Sequence, residues 1–205
     1  TQEAIHSFQI GYAPPIHVKT SVTTFLLEQG FTEKQLIQFG ISTNKYNKTV
    51  DKFVNRIMFP IHDTTGKVIG FSGRVFQKDD DRPKYINSPE TLLFQKRRNL
   101  YGLYQSKRNV KNNGFAILVE GQTDVISSSM SGVGNIVAPL GTGTTAEQLS
   151  KLKRYTDTIA IAFDKDLAGE KAHKRLAELA FKQGFNCYSI EIPYGNDADE
   201  CIRKD

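Results

Sequence analysis

The chain has few residues that could bind zinc or form disulfides. It contains two cysteines, Cys187 and Cys201, with no Cys-x-x-Cys pair and no cysteine–histidine spacing typical of a zinc site. Neither zinc nor a disulfide framework is therefore expected. Long apolar runs are also missing, since none approaches the roughly 20 residues that span a membrane, and no signal-peptide pattern opens the chain. We expect a soluble, cytoplasmic protein with no membrane partner.

The first residue is Thr1 rather than methionine, and no terminating signal follows the acidic last segment. With 205 residues and 39% hydrophobic content, the chain can bury the core of one large or two small domains. We expect it to be a fragment of a longer protein and, as a fragment, a monomer.

The net charge of +5 is unevenly distributed. Residues 45–112 carry 15 Lys or Arg and 6 Asp or Glu, a net charge of +9, whereas the remainder has a net charge of −4. A basic stretch beside an acidic one favours phosphate neutralisation by the first and metal binding by the second. Charge alone leaves open the alternative of two solvated faces.

Two short apolar runs end in acidic residues. Residues 115–119 stop at Glu120-Gly121, and residues 159–163 stop at Asp164-Lys165-Asp166. Such runs are typical of buried parallel strands, whose carboxyl ends border the ligand crevice of an open α/β sheet. If the strands are neighbours, three carboxylates converge there and repel one another. A divalent cation, Mg²⁺ or Mn²⁺, would relieve that repulsion and implies a phosphate substrate.

Three more acids occupy comparable positions. Asp124 lies one turn past Glu120, and Asp197 and Asp199 follow the last predicted strand. An isolated aspartate at such a place is more often a helix N-cap or a turn residue. Six acids at the strand ends of one sheet are hard to explain as caps alone. The loop 140–144 adds only weak evidence for anion binding, because it lacks the lysine of a P-loop.

Strands and helices alternate from residue 115 onward, which predicts a parallel sheet with helices on both faces. The predicted elements are strand 115–119, helix 124–131, strand 135–138, helix 145–154, strand 158–163, helix 168–183 and strand 185–192. A capping box of Thr144 and Glu147 starts the second of these helices, and Gly184 closes the third.

A smaller mixed α+β region with a β-hairpin is predicted before this sheet. Its elements are a short strand at 8–12, a helix at 22–29, a helix after a Thr32–Gln35 capping box, and hairpin strands at 57–61 and 68–72 around a turn at 63–66. Residues 111–114 read as a polar linker. We therefore predict domains at 1–112 and 113–205.

Cations cluster around the hairpin and on the turns after it. Arg56 and Arg74 flank the hairpin, and the segment 82–98 carries five more Lys or Arg among turn-forming residues, with Asn87 and Ser88 as donors. Cations on turns are held in one place by the backbone, as phosphate recognition needs. Taken alone, such a cluster is more often an ordinary soluble surface.

These motifs resemble, in order along nearly the whole chain, the catalytic core of DnaG-type bacterial primases. Glu120-Gly121 with Asp124, and Asp164-x-Asp166-x-Ala168-Gly169, resemble the TOPRIM motif, which primases share with topoisomerases and OLD-type nucleases. That motif alone is only moderately specific. The string Pro-Lys-Tyr-x-Asn-Ser-Pro-Glu-Thr at 83–91 is highly specific for the primases.

The resemblance implies a DNA primase core with a TOPRIM-like parallel sheet, an enzyme that makes short RNA primers on single-stranded DNA from ribonucleoside triphosphates. It implies more than one Mg²⁺ or Mn²⁺ ion, with Glu120, Asp164 and Asp166 as the catalytic, innermost ligands. A further ion would lie near Asp124, Asp197 and Asp199. The residues expected to contact nucleotide or DNA are Arg56, Arg74, Lys84, Tyr85, Asn87, Ser88, Lys96 and Arg98. We expect the family's zinc-binding and helicase-binding domains to be absent from this fragment, so the replicative helicase would bind elsewhere.

The sequence departs from the family pattern at several positions. Lys165 stands where the family has glycine between the two aspartates, and Gln122-Thr123 replaces Tyr-Met after Glu-Gly. None of these changes removes an expected metal ligand. Lys165, however, places a cation between two carboxylates and could weaken metal binding.

Three other functions compete with this interpretation. A haloacid-dehalogenase phosphatase also has Asp-x-Asp after a strand, but Ala168 stands where it needs Thr or Val. A TOPRIM nuclease or topoisomerase would use the same metal site and lacks the string at 83–91. A non-catalytic single-stranded DNA-binding module would bind without metal and leaves the clustered acids unexplained.

Overall fold

The computed structural model describes residues 1–15, 21–77, 81–141 and 143–204. They form two compact units. The first comprises Thr1–Ile61 and Val68–Gln95, and the second comprises His62–Lys67 and Lys96–Asp205. The units thus divide after residue 95, upstream of the division at residue 112 that the polar segment suggested.

The first unit is a small α+β fold. Its elements are α1 Gln2–Phe8, β1 Gly11–Ala13, α2 Val22–Glu28, α3 Glu33–Gln38, β2 Ser42–Lys45, β3 Lys48–Asp51, β4 Arg56–His62, β5 Val68–Val75 and β6 Tyr85–Asn87. One sheet has the order β1-β4-β5-β6, and β2 and β3 form a separate antiparallel hairpin. The predicted β4–β5 hairpin and the capping box at Thr32 and Gln35 are confirmed.

The amino-terminal segment differs from its prediction. Residues 2–8 form helix α1, and only Gly11–Ala13 are extended, so the strand predicted at 8–12 is wrong over its first half. The Thr1 hydroxyl caps α1 by accepting from the Ala4 N–H at 3.2 Å, and Gln9 ends the helix with a positive φ of 53°. The apolar pair Phe8 and Ile10 therefore spans the C-terminal cap of α1 rather than a strand.

The hairpin of β2 and β3 was not predicted. Its two turn residues, Tyr46 and Asn47, have positive φ values of 51° and 58°. Asparagine tolerates this conformation, but tyrosine seldom adopts it. Of the two turn positions, only Asn47 is therefore a residue typical of such a hairpin turn.

The second unit is an open α/β fold. Its elements are β7 Leu100–Tyr101, α4 Leu103–Asn113, β8 Ala116–Leu118, α5 Gln122–Met130, β9 Ile136–Pro139, α6 Ala146–Leu152, β10 Thr158–Ile161, α7 Leu167–Lys182, β11 Asn186–Ser189 and α8 Ala198–Lys204. The strand order is β11-β10-β8-β9-β7. The first four strands in this order are parallel, as predicted, and β7 adds an antiparallel edge.

Two local predictions in this unit are wrong. Residues 111–113, taken for a linker, are the last turn of α4, which ends at Gly114 with a φ of 76°. The capping box of α6 is formed by Thr145 and Gln148, one residue later than predicted. The polar composition of α4 hides it, because only Leu103, Ser106 and Val110 of its residues are buried.

The core of the second unit fixes the strand ends that matter for function. Leu118 on β8, Ile161 on β10 and Leu149 on α6 are each 0% exposed and belong to one apolar cluster. This packing holds the carboxyl ends of β8 and β10 side by side. In the described ranges, no helix is both long enough and apolar enough to cross a membrane.

Candidate active site

The acidic crevice lies at the carboxyl ends of β8 and β10. These strands are parallel neighbours, with Leu118 opposite Ile161. Glu120 and Asp164 therefore leave the sheet at the same edge. An oxygen of the Glu120 carboxylate accepts a hydrogen bond from the Asp164 backbone N–H at 3.2 Å. The two strands are therefore neighbours, which is the condition for their acidic residues to converge.

The start of α7 packs closely against this edge. Asp166 caps the helix, because its Oδ1 accepts from the Gly169 N–H at 2.7 Å. A Cβ atom at Gly169 would lie 2.1 Å from the Asp164 carbonyl oxygen and 3.0 Å from Glu120 Oε1. Only glycine fits between the two strand ends at this point.

Asp124, at the start of α5, is buried with 6% of its surface exposed. Its Oδ2 accepts from the Gly121 N–H at 3.0 Å, and its Oδ1 accepts from the Asp199 N–H at 3.3 Å. One carboxylate therefore links the turn after β8 to the start of α8.

The carboxylates of α8 make structural contacts. Asp197 Oδ1 accepts from the Glu200 N–H at 2.7 Å, as a helix cap does. Asp199 accepts from Arg203 Nε at 3.1 Å, forms an ion pair with Arg203 Nη2 at 2.8 Å and accepts from the Ser127 hydroxyl. Asp199 thus fastens α8 to α5, and its role as a metal ligand stays a prediction.

The acids raise one another's pKa. Burial, and then Glu120, Asp124, Asp197 and Asp166, raise the pKa of Asp164 to about 7. Burial, and then Asp197, raise the pKa of Asp124 to about 6. Burial and the charge of Asp166 also raise the pKa of Glu120. The structure therefore crowds these carboxylates together, and each disfavours the ionised form of its neighbours.

This donor set suits a divalent cation. Mg²⁺ and Mn²⁺ prefer carboxylate oxygens, and mutually repelling acids gain most from a bound cation. Within the described ranges, no three Asp, Glu, His or Cys side chains are already arranged around one metal position. The residues fit the expected ions by chemistry and charge, and their roles as ligands stay predictions.

Lys165 lies between the two aspartates in sequence, and its side chain is exposed. Its backbone N–H donates to the Asn196 carbonyl at 3.0 Å, which joins the loop after β10 to the loop before α8. This backbone bond gives position 165 a structural function that any residue except proline could fill.

Two of the predicted nucleic-acid contacts in the first unit are buried. Arg56 is 3% exposed, and its Nη1 donates to the carbonyls of Gly73 and Pro83 at 2.9 and 3.0 Å. Ser88 is 1% exposed, and its hydroxyl accepts from the Phe71 N–H at 2.9 Å. Both side chains hold the β4–β5–β6 sheet together.

The other predicted contacts of the first unit are more accessible. Lys84 is exposed, and the Arg74 guanidinium lies 5.8 Å from the centre of the half-buried Tyr85 ring. The Asn87 side-chain oxygen is buried and has no hydrogen-bond partner in the described ranges. We still predict that these four residues contact nucleotide or DNA.

Lys96 and Arg98 belong to the second unit, in a single 3₁₀ turn at Lys96–Arg98. The Lys96 carbonyl accepts from Gln148 Nε2 at 2.9 Å, which ties this turn to α6. Arg98 lines an open groove of about 670 Å³ together with Lys151 and Arg154. The turn therefore presents cations, as the sequence indicated, on a surface that includes α6.

Some contributors to the site were not predicted. Ser127 and Arg203 anchor Asp199. The spacing of four residues between Asp199 and Arg203 in α8 is a local signal for their ion pair, whereas nothing local signals the contact with Ser127. Gly169 was recognised only as part of a motif, although its missing side chain lets the strand ends meet. Thr142, in the loop 140–144 considered for anion binding, lies outside the described residues.

Two family models match the chain. The model for the N-terminal domain of the DNA primase catalytic core matches residues 1–107, and a Toprim-like model matches residues 117–202.

Curated relatives include the DNA primase of Clostridium acetobutylicum, which is 42% identical over 204 residues, covering 99% of this chain and 33% of the relative. The DNA primase of Aquifex aeolicus is 40% identical over 197 residues, covering 96% of this chain and 39% of the relative. The chain spans about a third of the length of the curated relatives it matches.

The solved structures that superpose on this chain are also primase domains. The zinc-binding and RNA polymerase domains of the Aquifex aeolicus primase superpose with a TM-score of 0.89 at 36% identity, covering 100% of this chain and 50% of that one. A DnaG primase catalytic domain bound to single-stranded DNA superposes with a TM-score of 0.86 at 37% identity, covering 100% of this chain and 64% of that one. With its fold, its acidic crevice and these matches in agreement, the chain belongs to the DNA primase catalytic core family.

Proposed function

We propose that this chain joins ribonucleotides into short RNA primers on a single-stranded DNA template. The observation that carries the proposal is the crowding of carboxylates in which the pKa of Asp164 rises to about 7. Acids perturbed by burial and by neighbouring charge are concentrated at functional sites. Membership of the primase family supplies the reaction class, and the related catalytic domain bound to single-stranded DNA supports the template.

The reaction is nucleotidyl transfer. A 3′-hydroxyl, or the hydroxyl of the initiating nucleotide, attacks the α-phosphate of a ribonucleoside triphosphate. A new P–O bond forms, the α–β phosphoanhydride bond breaks, pyrophosphate leaves, and the hydroxyl proton is released. Because the protein need form no covalent bond itself, its contribution is positioning and electrostatics.

Glu120, Asp164 and Asp166 are the proposed innermost ligands of Mg²⁺ or Mn²⁺, with Asp124 and Asp197 around a further ion. When bound, such ions lower the pKa of the attacking hydroxyl and neutralise charge on the leaving phosphates. The protein holds these acids in place by short backbone contacts, of which the Glu120 bond to the Asp164 N–H is one.

Asp199 is proposed to position the site rather than to bind the innermost ion. Its N–H holds Asp124, while its carboxylate is engaged by Arg203 and Ser127. A carboxylate already neutralised by a guanidinium is a weaker ligand than one with free oxygens.

The accessible cations are proposed to contact phosphates. Lys84 and Arg74 in the first unit, and Arg98 in the second, carry charges that can neutralise template or nucleotide phosphates. Tyr85 offers an aromatic face on which a base could stack. A replicative helicase is the proposed partner of the longer protein.

The test is incorporation of labelled ribonucleotides on single-stranded DNA with Mg²⁺ or Mn²⁺. We expect wild type to extend RNA, and we expect Asp164→Asn to lose at least about 100-fold of that activity, because removing one preorganised electrostatic group commonly costs that much. Asp157→Asn is the matched control. Asp157 is exposed and pairs with Lys153 at the other end of β10.

The products distinguish the alternatives. Primer synthesis by Asp164→Asn at the wild-type rate would refute the proposed site. Cutting of the template instead of extension would indicate a TOPRIM nuclease. Metal-independent DNA binding without any product would indicate a binding module.

A further inference from the structure

The basic turn Lys96–Arg98 has little support of its own. It is a single turn of 3₁₀ helix, and the hydrogen bond that closes it, from the Asn99 N–H to the Lys96 carbonyl, is long at 3.4 Å. Hydrogen-bond geometry is poorer in a 3₁₀ turn than in an α-helix. The position of this turn therefore depends on contacts with the rest of the second unit.

Two side chains at the start of α6 hold the backbone of the turn. The Thr145 hydroxyl donates to the Arg97 carbonyl at 2.6 Å. Gln148 Nε2 donates to the Lys96 carbonyl at 2.9 Å and to the Asn99 carbonyl at 2.8 Å. Three successive bonds thus fix the main chain of the turn and leave the side chains of its cations out of these contacts.

The Gln148 amide group is buried and fully used. Gln148 is 2% exposed, and while its nitrogen donates to the turn, its oxygen accepts from the Thr145 N–H at 2.9 Å. A buried polar group with all its partners in place holds them in one geometry. One side chain therefore joins the N-terminal cap of α6 to the backbone of the basic turn.

Lys151 adds a further contact from the same face of α6. Its Nζ donates to the Asn99 side-chain oxygen at 2.7 Å. Thr145, Gln148 and Lys151 follow one another at intervals of three residues, and residues spaced in this way are neighbours on a helix surface. We call these three residues the α6 cradle.

The α6 cradle is itself fixed in the core of the second unit. Leu149 and Leu152 of α6 are 0% exposed and pack in the same apolar cluster as Leu118 and Ile161. Those two residues lie on β8 and β10, whose ends carry the acidic crevice. The cradle therefore sets the place of the basic turn relative to the sheet that holds the acids.

We propose that Thr145 and Gln148 are positioning residues, which hold Lys96 and Arg98 where these cations contact phosphate. The inference rests on the proposed function, in which both cations bind template or nucleotide. Arg98 is exposed and Lys96 is half-buried, so they can reach a ligand while the cradle holds their backbone. A cation held in place before binding loses less freedom when the phosphate arrives, so its contact is stronger.

The test uses the 205-residue chain and two measurements that separate the sources of phosphate. Fluorescence anisotropy with a fluorescein-labelled oligothymidylate gives the affinity for template, and the incorporation assay gives the KM for ribonucleotides. In whichever measurement Lys96→Gln or Arg98→Gln weakens binding, Gln148→Met should weaken it by about threefold to tenfold. The value of kcat should change less than about twofold, whereas a loss of folded protein alone would lower kcat and leave KM unchanged.

Two further sets of variants separate positioning from stability. Methionine is a good helix former of similar length, so Gln148→Met should fold. Thr145→Val should weaken binding as Gln148→Met does, and Thr145→Ser, which keeps the hydroxyl, should restore the wild-type value. Thr156→Val is the matched control and should bind as wild type does. Thr156 is buried, and its hydroxyl donates to the Gly114 carbonyl at 2.6 Å, at the end of the sheet away from the acidic crevice.

A double-mutant cycle tests whether the cradle acts through the cations. In the Lys96→Gln/Arg98→Gln background, adding Gln148→Met should change binding by less than about twofold, because coupled residues share one effect. An equal loss in this background and in wild type would overturn the inference. Wild-type affinity and wild-type KM in Gln148→Met would overturn it as well.

The same measurements distinguish this inference from the proposed function. If wild type extends primers while Lys96→Gln and Arg98→Gln leave both affinity and KM unchanged, the positioning role fails alone. If wild type makes no primer, but its affinity for DNA shows the expected coupling between Gln148 and the two cations, the proposed function fails alone.

Discussion

Replacing Gly169 by alanine should destabilise the protein although alanine is the better helix former. In a helix, alanine is favoured over glycine by about 1 kcal/mol. At this position the new Cβ would lie 2.1 Å from the Asp164 carbonyl oxygen and 2.9 Å from its carbonyl carbon. Backbone atoms cannot move aside as a flexible side chain can, so the overpacking cost should reach the upper part of its usual range, about 3 kcal/mol. After the gain in helix propensity is subtracted, Gly169→Ala should lower the free energy of unfolding by about 2 kcal/mol.

Urea denaturation measures this loss. With a slope of about 2 kcal/mol per molar for a protein of this size, the midpoint should fall by roughly 1 M. Gly11→Ala is the matched control, because its Cβ would meet only the Met58 Cβ at 3.9 Å, and its midpoint should stay near that of wild type. An unfolding free energy of Gly169→Ala equal to or above that of wild type would refute the steric argument, since helix propensity alone would then decide the outcome.

Thr144→Val should raise the free energy of unfolding by about 1 kcal/mol in urea denaturation, because it replaces a buried hydroxyl that has no hydrogen-bond partner among the described residues. A decrease would mean that the hydroxyl is satisfied in solution. In the metal-free protein, the pKa of Asp164 is about 7 and that of Asp124 about 6, whereas an aspartate in the unfolded chain has a pKa near 4. The folded state therefore binds more protons than the unfolded state between these values, so the free energy of unfolding should fall as the pH rises from about 4 to 7. Asp164→Asn should flatten that slope in thermal unfolding with a chelator, and an unchanged slope would contradict the assignment. Arg203→Gln should lower the free energy of unfolding by about 0.5–1 kcal/mol and increase amide hydrogen exchange in α8, because it removes the ion pair with Asp199. Unchanged exchange would show that α8 does not depend on that pair.

The parallel sheet was predictable because its strands are short, apolar and separated by amphipathic helices. The same signals place Glu120 and Asp164 at strand ends, and the topology then makes them neighbours. What the pattern cannot show is how the ends fit together. The approach of Glu120 to Gly169 and the contact of Asp199 with Ser127 depend on three-dimensional packing between segments that are distant in sequence.

The failures of sequence prediction have local physical causes. Helix α4 was missed at its end because Lys111-Asn112-Asn113 is as polar as a linker, and its helical state depends on packing of Leu103 and Val110. Helix α1 was missed because the apolar pair Phe8 and Ile10 imitates strand alternation across the C-terminal cap of this helix. For Arg56, predicted to contact nucleotide or DNA, the structure adds that its guanidinium donates to backbone carbonyls, while the predicted contact stays a prediction.

The central claim is that the acids at the ends of β8 and β10 hold divalent cations. Titration of the protein with Mn²⁺, followed by the relaxation of water protons, tests it most directly because it needs neither template nor nucleotide. We expect wild type and Asp157→Asn to bind Mn²⁺ with the same affinity, and we expect Asp164→Asn to bind at least about tenfold more weakly, since one charged ligand is lost. Mn²⁺ binding by Asp164→Asn that equals that of wild type would contradict the account.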